Sequence, residues 1–244
     1  MILLLDVGNT RLKWALAGPR GWIAHGALVN QEIGTLALTQ WQSLPRPLRV
    51  VGVNVAGEAL RVRIEGQLAR WRLWPHWLRP RAQACGVTNA YTQPSLLGPD
   101  RWAALVAARR KFSGDCVVVN AGTALTIDAL DAQGVFRGGL ILPGLNLMRQ
   151  ALAANTARLQ VGGGLFQNFP DNTADALCSG AIQAACGAVD RLRALLAPSG
   201  SDVTTLLSGG AAAELQARLT PPVVLREHLV LEGVEALAEE EPAP

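Results

Sequence analysis

The chain has 244 residues, half of them hydrophobic and 17% charged, with a net charge of +3 from 22 Lys and Arg against 19 Asp and Glu. That composition excludes global disorder, and the charge is too mild to mark a nucleic-acid binder. The length suits one large domain or two modest ones, each with its own core.

The opening run, Ile2–Leu5, is apolar without a helical period and predicts a buried strand. Asp6 ends it, and Val7-Gly8-Asn9-Thr10 makes a tight polar turn. Leu12, Trp14 and Leu16 then alternate with Arg11, Lys13 and Ala15, as in a second strand. A carboxylate at a strand end, followed by glycine and residues with hydroxyl or amide groups, can hold a hydrated cation and phosphate oxygens. This turn is the first candidate nucleotide site. Trp22–Leu28 predicts a third strand. Glu32–Trp41 predicts a helix ended by Pro45 and Pro47. Val50–Val55 reads as a buried strand, and Glu58–Trp71 as a helix with Leu60, Ile64, Leu68 and Trp71 on one stripe. That order predicts an α/β layout with an antiparallel start.

Residues 75–97 read as loop-rich and carry Trp77 and Tyr91. The turn Gly98-Pro99-Asp100-Arg101 leads into an Ala-rich helix over Trp102–Phe112. Pro99 and Asp100 suit a helix N-terminus, so local sequence leaves Asp100 as either an ordinary cap or a functional carboxylate. Ser113-Gly114-Asp115 reads as a hinge dividing residues 1–114 from 115–244. Beyond it the opening plan returns: Cys116–Val119 is an apolar run, Asn120-Ala121-Gly122-Thr123 a polar turn, and Ala124–Leu130 an outgoing strand with Thr126 and Asp128. One such hairpin is a weak signal. Two, at the starts of successive halves, predict a duplicated domain with both turns aimed at a nucleotide.

Gly134–Arg137 predicts a hairpin turn and strand, and Gly138–Gly144 leads into a helix over Leu145–Ala154. Val161–Asn168 is a Gly-rich loop. Asn172 and Thr173 cap a long helix to about Leu196, whose Gly180, Ala184, Gly187 and Ala188 form a small face for close packing. Val203–Leu207 is a strand running into Ser208-Gly209-Gly210-Ala211, either a tight turn or a flat backbone surface for adenine or ribose. Leu225–Val230 is expected to close the sheet, Leu231–Ala238 to form the last helix, and Glu239–Pro244 to fray. The four cysteines, Cys85, Cys116, Cys178 and Cys186, form no C-x-x-C pair and read as buried free thiols of a reducing cytosol. His25, His76 and His228 are scattered, without metal-ligand spacing. The basic n-region of a signal peptide is missing, and no window reaches the ~18 apolar residues of a membrane span, so a soluble cytoplasmic protein is expected. The arginines between Arg46 and Arg81 have little aromatic interleaving and read as a solvated or interface surface.

Asp6-Val7-Gly8-Asn9-Thr10, Gly98-Pro99-Asp100-Arg101 and Gly122-Thr123-Ala124 occur in the order and spacing of the type III pantothenate kinases. Gly138–Gly144 and the Asn172-Thr173 helix start also resemble that family, and the resemblance runs from Met1 to about Gly233. It implies an α/β protein of duplicated ribonuclease-H-like domains, the actin/Hsp70/sugar-kinase superfold, flanking a nucleotide cleft. It implies ATP-dependent phosphorylation of the primary alcohol of pantothenate, the first step towards coenzyme A. It further implies a homodimer with pantothenate near the subunit interface, Mg²⁺, and a monovalent cation, K⁺ or NH₄⁺. Some members are Bvg accessory factor-like.

Carried onto this sequence, the resemblance gives Asp6 a water-mediated hold on Mg²⁺. Asp6, Val7, Gly8, Asn9, Thr10, Arg11, Leu12 and Lys13 would line the ATP site, with Thr123 reaching it from the second domain. Asp100 would accept the hydroxyl proton. Tyr91, Gly98, Pro99, Asp100, Arg101 and Thr173 would contact pantothenate, Thr173 across the dimer unless it is a plain helix cap. Phosphoryl transfer rests on positioning and charge neutralisation, so a carboxylate of pKa ~4 can orient the alcohol and take its proton late. The family has Asp at the monovalent-cation position where this chain has Asn120. The amide keeps a carbonyl oxygen and loses a charge, so a functional but altered cation site is expected, with Asp128 as a candidate compensator. Two rival readings remain: a kinase of the same superfold acting on another small substrate, and a catalytically weak regulatory relative.

Overall fold

The computed structural model describes residues 1–155, 163–197 and 202–241. The chain divides into two compact units, Met1–Lys111 with the segment from His228 on, and Phe112–Glu227. In the first, β1 (Ile2–Val7), β2 (Arg11–Gly18) and β3 (Gly21–Val29) form an antiparallel meander. A 3₁₀ helix follows over Asn30–Leu38. The chain then adds β4 (Arg49–Asn54) parallel to β1, α1 (Glu58–Leu68) with a 3₁₀ turn over Ala69–Trp71, and β5 (Pro75–Trp77) parallel to β4. The sheet order is β3-β2-β1-β4-β5. As the central strand, β1 is covered on both faces, which is why Leu3, Leu4 and Leu5 form an unbroken apolar run. Leu3, Leu5, Leu12, Ile64 and Leu68 pack with Trp14, Trp41 and Trp71 in one core. Trp14 and Trp41 meet edge to face at 6.3 Å between ring centroids. A short hairpin, β6 (Gln83–Ala84) and β7 (Val87–Asn89), precedes α2 (Pro99–Lys111).

The second unit repeats the plan. β8 (Cys116–Ala121), β9 (Ala124–Leu130) and β10 (Val135–Pro143) form the meander. After α3 (Leu145–Ala154) and α4 (Thr173–Leu196), β11 (Thr204–Ser208) adds parallel to β8. α5 (Ala212–Gln216) then leads to β12 (Val223–Leu225), parallel to β11. The order β12-β11-β8-β9-β10 matches the first sheet strand for strand, in sequence of addition and in the sense of every pairing. The duplication read from two polar turns is therefore a duplication of topology. Arg193, buried on α4, donates to Thr205 Oγ1 at 2.7 Å and to the Pro221 carbonyl at 2.9 Å, fastening the helix to this sheet.

The last helix, α6 (Leu229–Glu240), belongs to the first unit, not to the second as the contiguous division 115–244 expected. It lies along α2 so closely that a Cβ at Gly233 would fall on the Ala103 carbonyl. The strand expected over Leu225–Val230 lies earlier in the chain, over Val223–Leu225. β12 ends at Leu225, and Leu229 and Val230 are already helical and buried. Glu239 and Glu240 are helical rather than frayed, while 242–244 and part of the expected loop, 161–162, lie outside the described residues. The helix expected over Glu32–Trp41 is the tighter 3₁₀ form and starts at Asn30. The small face of α4 is not buried within the chain. Gly180, Ala184 and Gly187 are exposed, and a Cβ at Gly180 or Gly187 would meet nothing within 4 Å among the described residues. None of the four cysteines is in a disulfide; Cys116 and Cys186 are buried, while Cys85 and Cys178 are only half-buried. Among the described residues no helix is long and apolar enough to cross a membrane.

Candidate active site

Asp6 sits next to the end of the central strand, on the face opposite the core residues Leu5 and Val7. It is cross-strand from Lys13 and only 9% exposed. Burial pushes its carboxyl up to about 6; Lys13 pulls it down, and the Asp100 carboxylate pushes it up again. Asp6 and Asp100 therefore share one electrostatic neighbourhood in the first unit. Gly8 N–H donates to the Arg11 carbonyl at 3.0 Å and closes the turn. Gly8 and Lys13 are half-buried, and Asn9, Thr10 and Arg11 are exposed. Val7 and Leu12 are fully buried in the core, so any ligand contact at these two positions is through the backbone. A residue that sequence reasoning missed holds the turn from behind. Asn30 Nδ2 donates to the carbonyls of Gly8 at 2.9 Å and Asn9 at 2.8 Å.

Asp100 lies in the first turn of α2, with Pro99 as the first helical residue. Its Oδ1 accepts the Arg101 N–H at 2.8 Å. Burial raises its pKa, opposed by that hydrogen bond and by the Arg101 guanidinium. A Cβ at position 98 would lie 2.7 Å from Asp100 Oδ1, so glycine is required there for the carboxylate to keep this position. Arg101, a charged residue only 6% exposed, donates from Nη1 to the Tyr91 hydroxyl at 3.1 Å, and its guanidinium lies 5.9 Å from the Tyr91 ring centroid. Its planar fork suits a ligand carboxylate or phosphate. Asn89, also not foreseen, shapes the Tyr91 loop. Its Nδ2 donates to the Pro94 carbonyl and its Oδ1 accepts the Tyr91 N–H, each at 3.1 Å.

The second unit carries the echo in altered chemistry. Where Asp6 faces Lys13, Asn120 faces Thr126, with Ser208 on its other side. The acid–base pair is replaced by an amide between two hydroxyls. Asp128 is fully buried two positions beyond Thr126, opposite Val118. Gly122 N–H donates to the Ala124 carbonyl at 3.1 Å, as Gly8 does to Arg11, in a turn one residue shorter. Thr123 is exposed, and its carbonyl accepts the Gly144 N–H at 2.9 Å. Gly209, with φ +101°, lies against Ala121, so Ser208–Ala211 is at least a tight turn, while Gly210 faces open space. Thr173 is not the helix cap. Asn172 is, its Oδ1 accepting the Asp175 N–H at 3.0 Å. Thr173 is exposed and borders an apolar hollow of about 510 Å³ with Met148, Leu152 and Leu177.

The first unit thus brings together Asp6–Lys13, Tyr91 and Gly98–Arg101, while Asn120, Thr123 and Thr173 belong to the second. A buried carboxylate, raised by burial and by a second carboxylate, suits a cation. Among the described residues no three or more His, Cys, Asp or Glu side chains gather to hold an ion alone. A divalent ion at Asp6 would complete its shell with phosphate oxygens and water, the ordinary habit of a small hard cation. Asn120, Thr126 and Ser208 offer neutral oxygens, a donor set suited to a monovalent ion.

Comparison with known proteins agrees with this geometry. The family model for type III pantothenate kinases matches residues 2–194. A type III pantothenate kinase of Nitrosospira multiformis is 44% identical over 241 residues, covering 98% of this chain and 92% of the relative. One from Aromatoleum aromaticum is 45% identical over 243 residues, covering 100% of both. Among solved structures, a proposed Baf family transcriptional activator from Campylobacter jejuni superposes with a TM-score of 0.63 at 23% identity, over 98% of both chains. A proposed 2-dehydro-3-deoxygalactonokinase from Sinorhizobium meliloti gives 0.63 at 16% identity, also over 98% of both. At those identities the two structures speak for the fold, the duplicated ribonuclease-H-like architecture of the actin/Hsp70/sugar-kinase superfold.

Proposed function

The chain belongs to the type III pantothenate kinase family, and from that premise we propose which of its side chains carry the reaction. The enzyme phosphorylates pantothenate, with ATP as donor and a divalent metal ion, in coenzyme A biosynthesis. The pantothenate hydroxyl oxygen attacks the γ-phosphorus, the bond to the β–γ bridging oxygen breaks, ADP leaves, and the hydroxyl proton passes to Asp100. The observation that carries this assignment is the pair of buried carboxylates, both raised by burial, with Asp100 near enough to raise Asp6 further.

Their roles divide by surroundings. Asp100 stands beside Arg101 and Tyr91, groups that recognise a small polar acid. Burial raises its pKa, which makes its carboxylate a better proton acceptor than a free aspartate. Asp6 stands at the phosphate turn with Lys13. Gly8, Asn9 and Thr10 cradle phosphate through backbone N–H groups and short side chains, and Thr123 does so from the second unit. Arg101, stacked against Tyr91, holds the pantothenate carboxylate as a fork. Mg²⁺, held at Asp6 through water, neutralises charge on the phosphates when bound.

The monovalent cation, K⁺ or NH₄⁺, belongs at Asn120 with Thr126 and Ser208, with weaker attraction than a carboxylate would provide. The enzyme is a homodimer in the cytoplasm. The exposed small face of α4 and the apolar hollow beside Thr173 support the dimer, because they leave room for another helix to approach and for Thr173 to reach a neighbour's substrate.

A coupled ADP-release assay tests the assignment of substrate. Pantothenate, sugars and acetate are each offered with ATP and Mg²⁺, in K⁺ or in Na⁺. Turnover with pantothenate alone, greater in K⁺, is expected. Turnover with a sugar or acetate and none with pantothenate would overturn it.

A further inference from the structure

Asn30 stands one rung beyond the Arg11–Val29 pair of β2 and β3, and its side chain adds contacts that the ladder alone does not require. It is the first residue of the 3₁₀ helix after β3, about twenty positions beyond the phosphate turn. Its side-chain amide donates to two successive carbonyls of that turn, Gly8 at 2.9 Å and Asn9 at 2.8 Å. Its backbone N–H donates to the third, Thr10, at 3.1 Å. Its Oδ1 is buried with no hydrogen-bond partner among the described residues. Turning the amide over would place that oxygen against two carbonyl oxygens, so the amide serves this turn as a donor.

A peptide unit is planar, with its C=O and N–H pointing in opposite directions. When the oxygens of Gly8, Asn9 and Thr10 converge on Asn30, the N–H groups sharing those planes, on Asn9, Thr10 and Arg11, point away from it. Successive N–H groups turned to one side form a concavity for anions. Left alone, a Gly-Asn-Thr turn could rotate any of these planes at little cost and present carbonyl oxygens to a phosphate instead.

We propose that Asn30 is a positioning residue for nucleotide. It locks the peptide planes of residues 8–11 so that their N–H groups, not their carbonyls, face the ATP phosphates. It touches neither substrate. The inference rests on the reading of Gly8–Thr10 as the phosphate turn, and it adds the residue that gives the turn its polarity.

Asn30→Asp is nearly isosteric and removes the donor. Asn30→Ala removes the donor without setting a charge against the carbonyls, and serves if the first variant folds poorly. Binding of ADP and of a non-hydrolysable ATP analogue is measured by calorimetry with Mg²⁺, alongside KM for each substrate. Two lost hydrogen bonds to an ordered turn are expected to raise the nucleotide Kd about tenfold or more, with KM for pantothenate within about twofold of wild type. Gln40→Leu is the stability control, because it breaks the 2.7 Å bond from Trp14 Nε1 in the same unit without touching the turn. It is expected to lower the melting temperature and leave nucleotide affinity unchanged. Gly8→Ala tests the turn itself, because its added Cβ would lie 3.2 Å from the Arg11 carbonyl. If Gly8→Ala weakens nucleotide binding and neither Asn30 variant does, Asn30 is merely structural and the proposal fails. If none of the three weakens it, the phosphate-turn reading fails and takes the proposal with it.

Discussion

Asp6 is predicted to destabilise the protein it serves. Its carboxyl is raised from an ordinary 3.8 to about 6, chiefly by burial. The folded state therefore holds the Asp6 proton more tightly than the unfolded chain does. Between those two values the folded protein carries more protons, so stability falls as pH rises through the window, and the full penalty stands above about 6. Two pH units at 1.36 kcal/mol each make that penalty about 3 kcal/mol at pH 7.5, shrinking to under about 1 kcal/mol at pH 4. Asn is uncharged throughout and escapes it. The attraction of Lys13 is already contained in the net shift, so losing it does not reverse the sign. Asp6→Asn should make the ligand-free protein more stable at pH 7.5 by up to about 3 kcal/mol, with the gain fading as pH falls to 4, while kinase activity is lost. All seven tryptophans, Trp14, Trp22, Trp41, Trp71, Trp74, Trp77 and Trp102, lie in the first unit. Tryptophan fluorescence during urea unfolding, with a chelator present, therefore reports the unit that holds Asp6. A variant less stable than wild type at pH 7.5, or a gain that does not change with pH, would refute the reasoning.

Other perturbations separate binding from packing. Tyr91→Phe removes the hydroxyl that accepts from Arg101 and should raise KM for pantothenate by about three- to tenfold with KM for ATP unchanged, read from initial rates. Gly233→Ala places a methyl on the Ala103 carbonyl where α2 and α6 meet; a loss of about 1–3 kcal/mol is expected in the same fluorescence-detected unfolding. Asn120→Asp restores a carboxylate beside Thr126 and Ser208 and should lower the K⁺ concentration giving half-maximal rate, with Na⁺ as control. An unchanged K⁺ response would detach Asn120 from the cation.

The parts legible in the sequence were those whose signal is local. The apolar run of β1, its acid-and-glycine turn and the copy at Asn120 announce a duplicated sheet, because a central strand must be apolar on both faces and a ligand turn needs glycine and polar atoms. The segment around Leu229 was misread because a short apolar run looks the same in a buried strand and in a buried helix. What decides it is the contact of Gly233 with Ala103, more than a hundred residues away in the chain. The small face of α4 was legible as a pattern, but small residues say only that something comes close, not whether it belongs to the same chain. Asn30 and Asn89 left no signal, since an asparagine in a loop is ordinary until its amide is seen bonded to the backbone of a neighbouring turn. The raised carboxyls of Asp6 and Asp100 are likewise products of burial, which no local motif states.

The central claim is that Asp100 takes the proton from pantothenate at a site whose nucleotide end is built separately around Asp6. It is tested most directly by pantothenate-dependent ADP release from wild type and Asp100→Asn at saturating ATP, Mg²⁺ and pantothenate, with ADP affinity measured on both. The account predicts that kcat falls by about 10²-fold or more while ADP binds as in wild type. A kcat within about threefold of wild type would contradict it.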